Sequence, residues 1–418
     1  MGDDDCAVSD ESSSGKPRVL IAGGGVTGLE ALLALSDLAG DRIELTLLAP
    51  EPDFVYKPLL VEEPFALGPA ERHELAPAAE EQGARFVQRA LSAVRVKDHL
   101  AELDDGSEIG YDMLLVCVGG RFRPALKGAI TFPGPEPLRI DEVIENMAGD
   151  GDGRFAFVVP SGVSWPLPIY ELALMTQRRV LEQGRDIHIV IVTPEAAPLI
   201  MFGSAASDQV ASLLAGRGIT VEAGAHVREL DDGTLFVVPG DRRLEASATV
   251  ALPRMEGPRI EGLPTDEGGF LPINPHARVR GAEHVYAAGD GTNFPIKQGG
   301  LGTQQADAAA QEIAARAGAE VDPQPFHPIL RGKLITGEES LHMRHDVAGG
   351  GGEGAASADY LWWPPHKIGG RYLSAWLAHE EVHDPEPPRR PLEVEVALPT
   401  EWHEDPMALD PFGAPRVD

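Results

Sequence analysis

The feature that most constrains this chain is a set of three glycines, Gly23-x-Gly25-x-x-Gly28. They lie between the apolar run Val19-Leu20-Ile21-Ala22 and the apolar segment from Leu29 to Leu38. A short, wholly apolar run suits a strand buried on both faces of a parallel sheet. The segment after the glycines predicts a helix closed by Gly40, and Ile43 to Leu48 predicts a second strand. Strand, glycine turn, helix and strand within about thirty residues make a βαβ unit. Each glycine has a mechanical reason: the first allows the tight turn, the second lets backbone approach a pyrophosphate, and the third lets the helix pack close. The phosphates would rest on the free N–H groups and positive dipole end of the helix. The ribose partner is usually an acid at the end of the second strand. The nearest acids here are Glu51 and Asp53, so Glu51 either reaches the ribose from a displaced position or is a solvated turn carboxylate.

A second unit of the same kind is predicted from about Arg154. Phe155 to Val159 reads as a strand, Pro168 to Glu182 as a helix and Ile187 to Thr193 as a strand. A helix from about Ser204 to Ala215 and a strand Thr220-Val221-Glu222 continue it. The chain then returns through Gly268–Val279 and Val285–Asp290 to a Gln- and Ala-rich helix ending near Arg316. Beyond Val321 the composition shifts to Pro, Trp, His and acid, with a flexible insert expected at Gly349–Gly354 and an extended or disordered end. With 418 residues the chain suits two or three domains.

Acidic residues number 66 against 35 Lys and Arg, a formal charge of -31. That field repels nucleic acid and anionic lipid headgroups, and its plain reading is a surface adapted for solubility or high salt. No stretch approaches the roughly 18 apolar residues that span a bilayer. Met1 to Gly15 is acidic and Ser-rich, unlike a signal peptide, and reads as a disordered tail. The two cysteines, Cys6 in that tail and Cys117 in an apolar run, exclude a disulfide framework and suggest a reducing, cytoplasmic setting. Cys117 is expected to be a small core residue inside a strand.

Three motifs occur in order: GGGVTGLE at Gly23–Glu30, YDMLLVCVGG at Tyr111–Gly120 and VYAAGD at Val285–Asp290. Together they resemble the FAD-dependent pyridine nucleotide-disulfide oxidoreductase superfamily over about residues 18–320. FVYKPLL at Phe54–Leu60 and PIKQGGLGTQQ at Pro295–Gln305 are most similar to sulfide:quinone oxidoreductases and type II NADH dehydrogenases.

The resemblance implies an α/β fold with two Rossmann-like, glutathione-reductase-type nucleotide-binding domains and a short C-terminal extension. Residues 16–150 with 268–320 would form the FAD domain, 151–267 a degenerate NAD-type domain, and 321–418 a C-terminal cap. The implied cofactor-binding residues are Gly23, Gly25, Val26, Thr27, Gly28, Glu51, Lys57, Gly119, Gly120, Gly289, Asp290 and Gln298. Asp290 should accept hydrogen bonds from the flavin ribityl chain, and the Gly119-Gly120 turn should close the site from below. Lys297 is the candidate catalytic group, a cationic partner for reduced flavin beside a helix N-terminus that stabilises the same charge; its plain alternative is a surface lysine.

The sequence departs from that family in two places. Val159-Pro160-Ser161-Gly162-Val163-Ser164-Trp165-Pro166-Leu167-Pro168 stands where NAD(P)H-using members carry a second GxGxxG. Prolines there remove backbone donors and Trp165 adds bulk. The paired redox cysteines of sulfide:quinone oxidoreductases are also missing, since no cysteine follows Cys117. The expectation is therefore an FAD-dependent oxidoreductase moving electrons from an unidentified small-molecule donor to a quinone or another acceptor. Its rivals are an NAD(P)H:acceptor reductase, with Glu195 as ribose-binding acid, and a non-catalytic flavin or electron-transfer module.

No metal site is expected, because there is no HExxH or CxxC and His327, His342, His345, His366 and His403 read as solvated. Leu361–Pro365 and Arg371–Leu377 read as a folded cap or homodimer contact. Membrane docking is disfavoured by their acidic surroundings.

Overall fold

The computed structural model describes residues 15–147, 153–347 and 354–380. Cys6, His403, most of the Gly349–Gly354 insert and the extended end all lie outside them.

The chain opens on β1 (Arg18–Ala22), turns through the glycines into α1 (Val26–Ala39) and returns in β2 (Glu44–Ala49). The helix starts three residues earlier than Leu29, because Gly25 in an extended conformation serves as its N-cap. Strands β3 (Arg85–Gln88) and β4 (Met113–Val116) follow. After β5 (Ile130–Thr131) comes the second unit: β6 (Gly153–Val158), α2 (Leu167–Glu182), β7 (Ile187–Val192), α3 (Ser204–Gly216), β8 (Thr220–Glu222) and β9 (Ala248–Ala251). Then β10 (Val285–Ala287) leads to the long α4 (Gly299–Arg316). A three-stranded antiparallel sheet, β11 (Ile329–Leu334), β12 (Leu341–Asp346) and β13 (Ala355–Ser357), and the short α5 (Leu373–Glu380) end the described chain.

Two five-stranded parallel sheets organise these elements. The first has the order β10-β4-β1-β2-β3 and the second β5-β9-β6-β7-β8. In each, the first strand of the βαβ unit lies at the point where strand order reverses, β1 between β4 and β2, and β6 between β9 and β7. Ligands of open α/β sheets bind in the crevice at that point, outside the carboxyl ends of the strands.

The apolar runs read from sequence become the cores. Leu20, Ile21, Ala22, Leu114 and Leu115 in the first sheet, and Phe155, Phe157, Ile189 and Ile191 in the second, are all essentially inaccessible. Helix α4 lies along α1, and the approach is close: a Cβ on Gly302 would fall 2.6 Å from Thr27 Oγ1. The C-terminal segment docks on the same body. Leu373 and Leu377 join the cluster built around Leu29, Leu32 and Ile313, and the amides of Tyr372 and Leu373 donate to the buried carboxylate of Glu30 at 2.9 and 2.7 Å.

Candidate active site: a cavity between the two sheets

A cavity of about 980 Å³ opens at both switch points. Gly23 to Thr27 and Cys117 to Gly119 line it from the first sheet, and Gly162 to Trp165 with Leu252 and Pro253 from the second.

The glycine turn has the geometry its spacing implies. Gly23 has φ +122°, and a Cβ there would lie 2.3 Å from the Cys117 carbonyl oxygen. A Cβ on Gly28 would overlap the Gly23 carbonyl oxygen at 1.8 Å, so the third glycine lets α1 close on the turn itself. Gly25 differs: a Cβ there would meet nothing within 4 Å, because it faces the open cavity. Two glycines are thus demanded by the protein's own backbone and one is exposed to whatever approaches. That is the arrangement a pyrophosphate on the α1 N-terminus requires.

The other expected residues fall into three groups. Val26, Glu51, Lys57, Gly119, Asp290, Lys297 and Gln298 line the cavity. Thr27 lines it too, while its hydroxyl packs against Gly289 and Gly302. Gly28, Gly120 and Gly289 stand behind the wall. Gly120 packs on Met255, and Gly289 (φ +85°) presses on Thr27 and donates its N–H to Gln305 Oε1 at 2.8 Å. Glu51, two residues past β2, is exposed at the edge. Cys117 is one residue past β4 rather than inside it; it lines the cavity, and burial pushes its thiol well above the usual range.

At the other end, Lys297 and Asp290 face the same space. The Lys297 ammonium donates to the Thr292 carbonyl and sits 3.7 Å from the centre of the Phe270 ring. Burial lowers its pKa to about 8 against the opposing pull of Asp290 and Asp266. Burial raises the Asp290 carboxyl, while Lys297 and Lys57 hold it down. The Lys297 amide donates to Ser164 Oγ at 3.1 Å, which ties the second sheet's loop to this end of the site. The Gln298 side chain is spent internally: its Oε1 caps α4 by accepting from Leu301 N–H at 2.7 Å, and its Nε2 donates to the Arg331 carbonyl. Gln298 therefore sets the direction of the helix end that faces the cavity.

Sequence reasoning missed a buried ion pair in the same wall. Lys367, from the C-terminal segment, lies 2.7 Å from Glu171 on α2 and also donates to the Pro58 carbonyl at 2.8 Å. Glu171 accepts a second hydrogen bond from the Ile335 amide, and burial raises its carboxyl against the pull of Lys367. The signal for Glu171 was a lone acid among Ile169, Tyr170, Leu172 and Ala173. Nothing near Lys367 announces its partner.

Two expectations need correction. Glu195 is fully buried rather than displayed at a strand end; it accepts from Tyr170 Oη at 2.6 Å and Thr193 Oγ1 at 2.9 Å. Burial raises it to about 7. It is not among the cavity residues, so it cannot serve there as a ribose acid. The histidines are not uniformly solvated. His342 is 2% exposed, against Tyr360 and Trp362, and His345 bonds the Met201 carbonyl at 2.7 Å. Desolvation lowers His342 to about 4.

The arrangement fits FAD: a pyrophosphate seat at Gly25, a mostly apolar cavity, and polar groups at the far end. The family described as pyridine nucleotide-disulphide oxidoreductase matches residues 171–312. An alternative NAD(P)H-ubiquinone oxidoreductase of Arabidopsis thaliana is 23% identical, covering 96% of this chain and 82% of its own. Demethylphylloquinone reductase of Synechocystis is 27% identical over 71% of this chain and 77% of its own. Among solved structures, the sulfide:quinone oxidoreductase of Aquifex aeolicus superposes with a TM-score of 0.74 at 19% identity, covering 82% of this chain and 86% of that one. By fold, family match and relatives together, the chain is similar to the FAD-dependent pyridine nucleotide-disulfide oxidoreductases.

Proposed function

We propose that this chain is an oxidoreductase that takes electrons from a small-molecule donor and delivers them to a quinone or another acceptor. The observation that carries the reading is one continuous cavity joining the Gly25 seat to the Lys297, Asp290 and Glu171–Lys367 groups. When bound, flavin supplies reversible acceptance and release of two electrons. The protein's residues do the rest. The α1 N-terminus holds the pyrophosphate. Asp290 accepts from ribityl hydroxyls. Lys297 and the α4 N-terminus place positive charge where negative charge develops. Glu171 and Lys367, buried and hydrogen-bonded at the wall, form a pair able to hold or pass one proton at the Glu171 carboxylate or Lys367 Nζ. Apolar neighbours such as Leu252, Phe294 and Trp165 exclude water. In this reading residues 16–150 with 268–320 form the FAD unit, 151–267 the modified second unit and 321–418 the C-terminal extension.

NAD(P)H is the second reading for the donor, and the names of the Arabidopsis and Synechocystis relatives favour the quinone side of either. Against NAD(P)H stand the Pro160–Pro168 loop and the inward-turned Glu195. A non-catalytic electron-transfer module is the remaining alternative. Among the described residues no helix is long and apolar enough to cross a membrane. We take the cytoplasm as the site of action, without nucleic-acid partners and with a homodimer as the assembly to test. Anaerobic titration with NADH, NADPH and then a soluble quinone tests the reading. Multi-turnover quinone reduction supports it, bleaching by either nucleotide identifies the donor, and failure to reduce a quinone or any other electron acceptor with every donor overturns it.

A further inference from the structure

A second cavity, of about 340 Å³, shares no lining residue with the first. One wall is a stripe of α4, Gln304, Asp307, Ala308 and Gln311; the others come from segments 324–331 and 362–374. Two guanidinium groups, Arg331 and Arg371, and two indoles, Trp362 and Trp363, line it.

The cations are left open. Arg331 Nε is buried and has no hydrogen-bond partner among the described residues, and no described carboxylate lies within ion-pair distance of the group. A buried guanidinium N–H without an acceptor is unfavourable, and desolvation lowers this group to about 10 against the pull of Asp307. The arrangement is unexpected in a chain of formal charge -31, which has acids to spare. The acid at the wall, Asp307, is shared: burial and the neighbouring Glu30 raise it to about 8, while Arg371 and Arg331 pull it down. Arg371 is exposed, lies over Tyr372 and is likewise in no ion pair among the described residues. The His327 imidazole, by contrast, is engaged with Asp346 at 3.2 Å.

The aromatic side is equally specific. Trp362 spends its Nε1 hydrogen on the His366 carbonyl at 2.9 Å, so its ring offers the cavity only apolar surface. Guanidinium groups match planar oxyanions in a two-pronged geometry, and indoles pack against flat rings. A cavity of this size admits a single ring with one substituent and not a dinucleotide.

We propose that this second cavity binds a small aromatic carboxylate, its carboxylate on Arg331 and Arg371 and its ring against Trp362 and Trp363. The proposal stands apart from the flavin reading, since no group is shared.

Calorimetric titration of the full-length protein with benzoate tests it, with cyclohexanecarboxylate and inorganic phosphate as comparators. The expected result is saturable benzoate binding at one site per chain, with both comparators at least tenfold weaker. Arg331→Gln and Arg371→Gln should each weaken benzoate at least tenfold, and Trp363→Leu several-fold. Because Arg371 is exposed, Arg371→Gln keeps the fold and serves even where Arg331→Gln does not. Absence of benzoate binding, equal binding by Arg371→Gln, or phosphate binding as tight as benzoate would overturn the proposal.

Discussion

The Lys367 ammonium lies 2.7 Å from a Glu171 carboxylate oxygen, with both side chains buried at the wall of the larger cavity. Removing one partner of such a pair strands a buried charge at a cost of about 3–5 kcal/mol, whereas replacing both by apolar groups is often nearly neutral. Lys367→Met should therefore lower stability by about that amount in urea denaturation. The double variant Lys367→Met/Glu171→Leu should recover more than half of the loss. A Lys367→Met protein as stable as wild type would show that the pair is not formed.

The glycine turn predicts different outcomes at two positions. Gly28→Ala forces a Cβ to within 1.8 Å of the Gly23 carbonyl oxygen and should destabilise the fold by about 1–3 kcal/mol. Gly25→Trp meets only open cavity, so it should fold at near wild-type stability yet purify without flavin absorbance. A yellow Gly25→Trp protein would place the pyrophosphate elsewhere.

Burial raises Glu195 to about 7 and Asp307 to about 8, while unfolded carboxyls titrate near 4. Between these values the folded chain binds more protons than the unfolded chain, so the contribution of each group to stability is full at low pH and is lost as pH rises through the folded value. Stability measured from pH 5 to pH 8 should fall, by at most about 1.4 kcal/mol per pH unit for each group. Glu195→Gln should flatten the profile up to about pH 7, and Asp307→Asn up to about pH 8. Parallel curves for wild type and both variants would contradict this assignment.

Lys297 carries positive charge at the polar end of the cavity, and burial holds it at about 8. Lys297→Met should make the flavin potential more negative by about 30 mV or more, equivalent to roughly 1.4 kcal/mol for a two-electron couple. The difference between variant and wild type should shrink as pH rises through 8, where the wild-type amine loses its proton. An unchanged potential at pH 7, read by dye equilibration, would leave Lys297 a structural residue.

Much of this architecture was readable in the sequence because it rests on local signals. Apolar runs of four to six residues marked the buried strands, the glycine spacing marked the first switch point, and prolines marked the altered second loop. What escaped depends on long-range partners. Glu171 meets Lys367 across 196 positions, and Glu30 meets Leu373 across 343. Glu30 stands inside the very motif that announced the turn, yet its carboxylate serves the start of α5, where a Cβ on Gly370 would clash with it at 2.5 Å. Glu195 shows the other limit. Its place near the end of β7 was legible, but the inward turn toward Tyr170 Oη was set by packing that no local pattern encodes.

The most direct test of the account is the cofactor content of the purified full-length protein. The account predicts an oxidised flavin spectrum, with FAD released on denaturation at close to one per chain. A colourless protein that takes up no FAD on reconstitution, although folded, would contradict it.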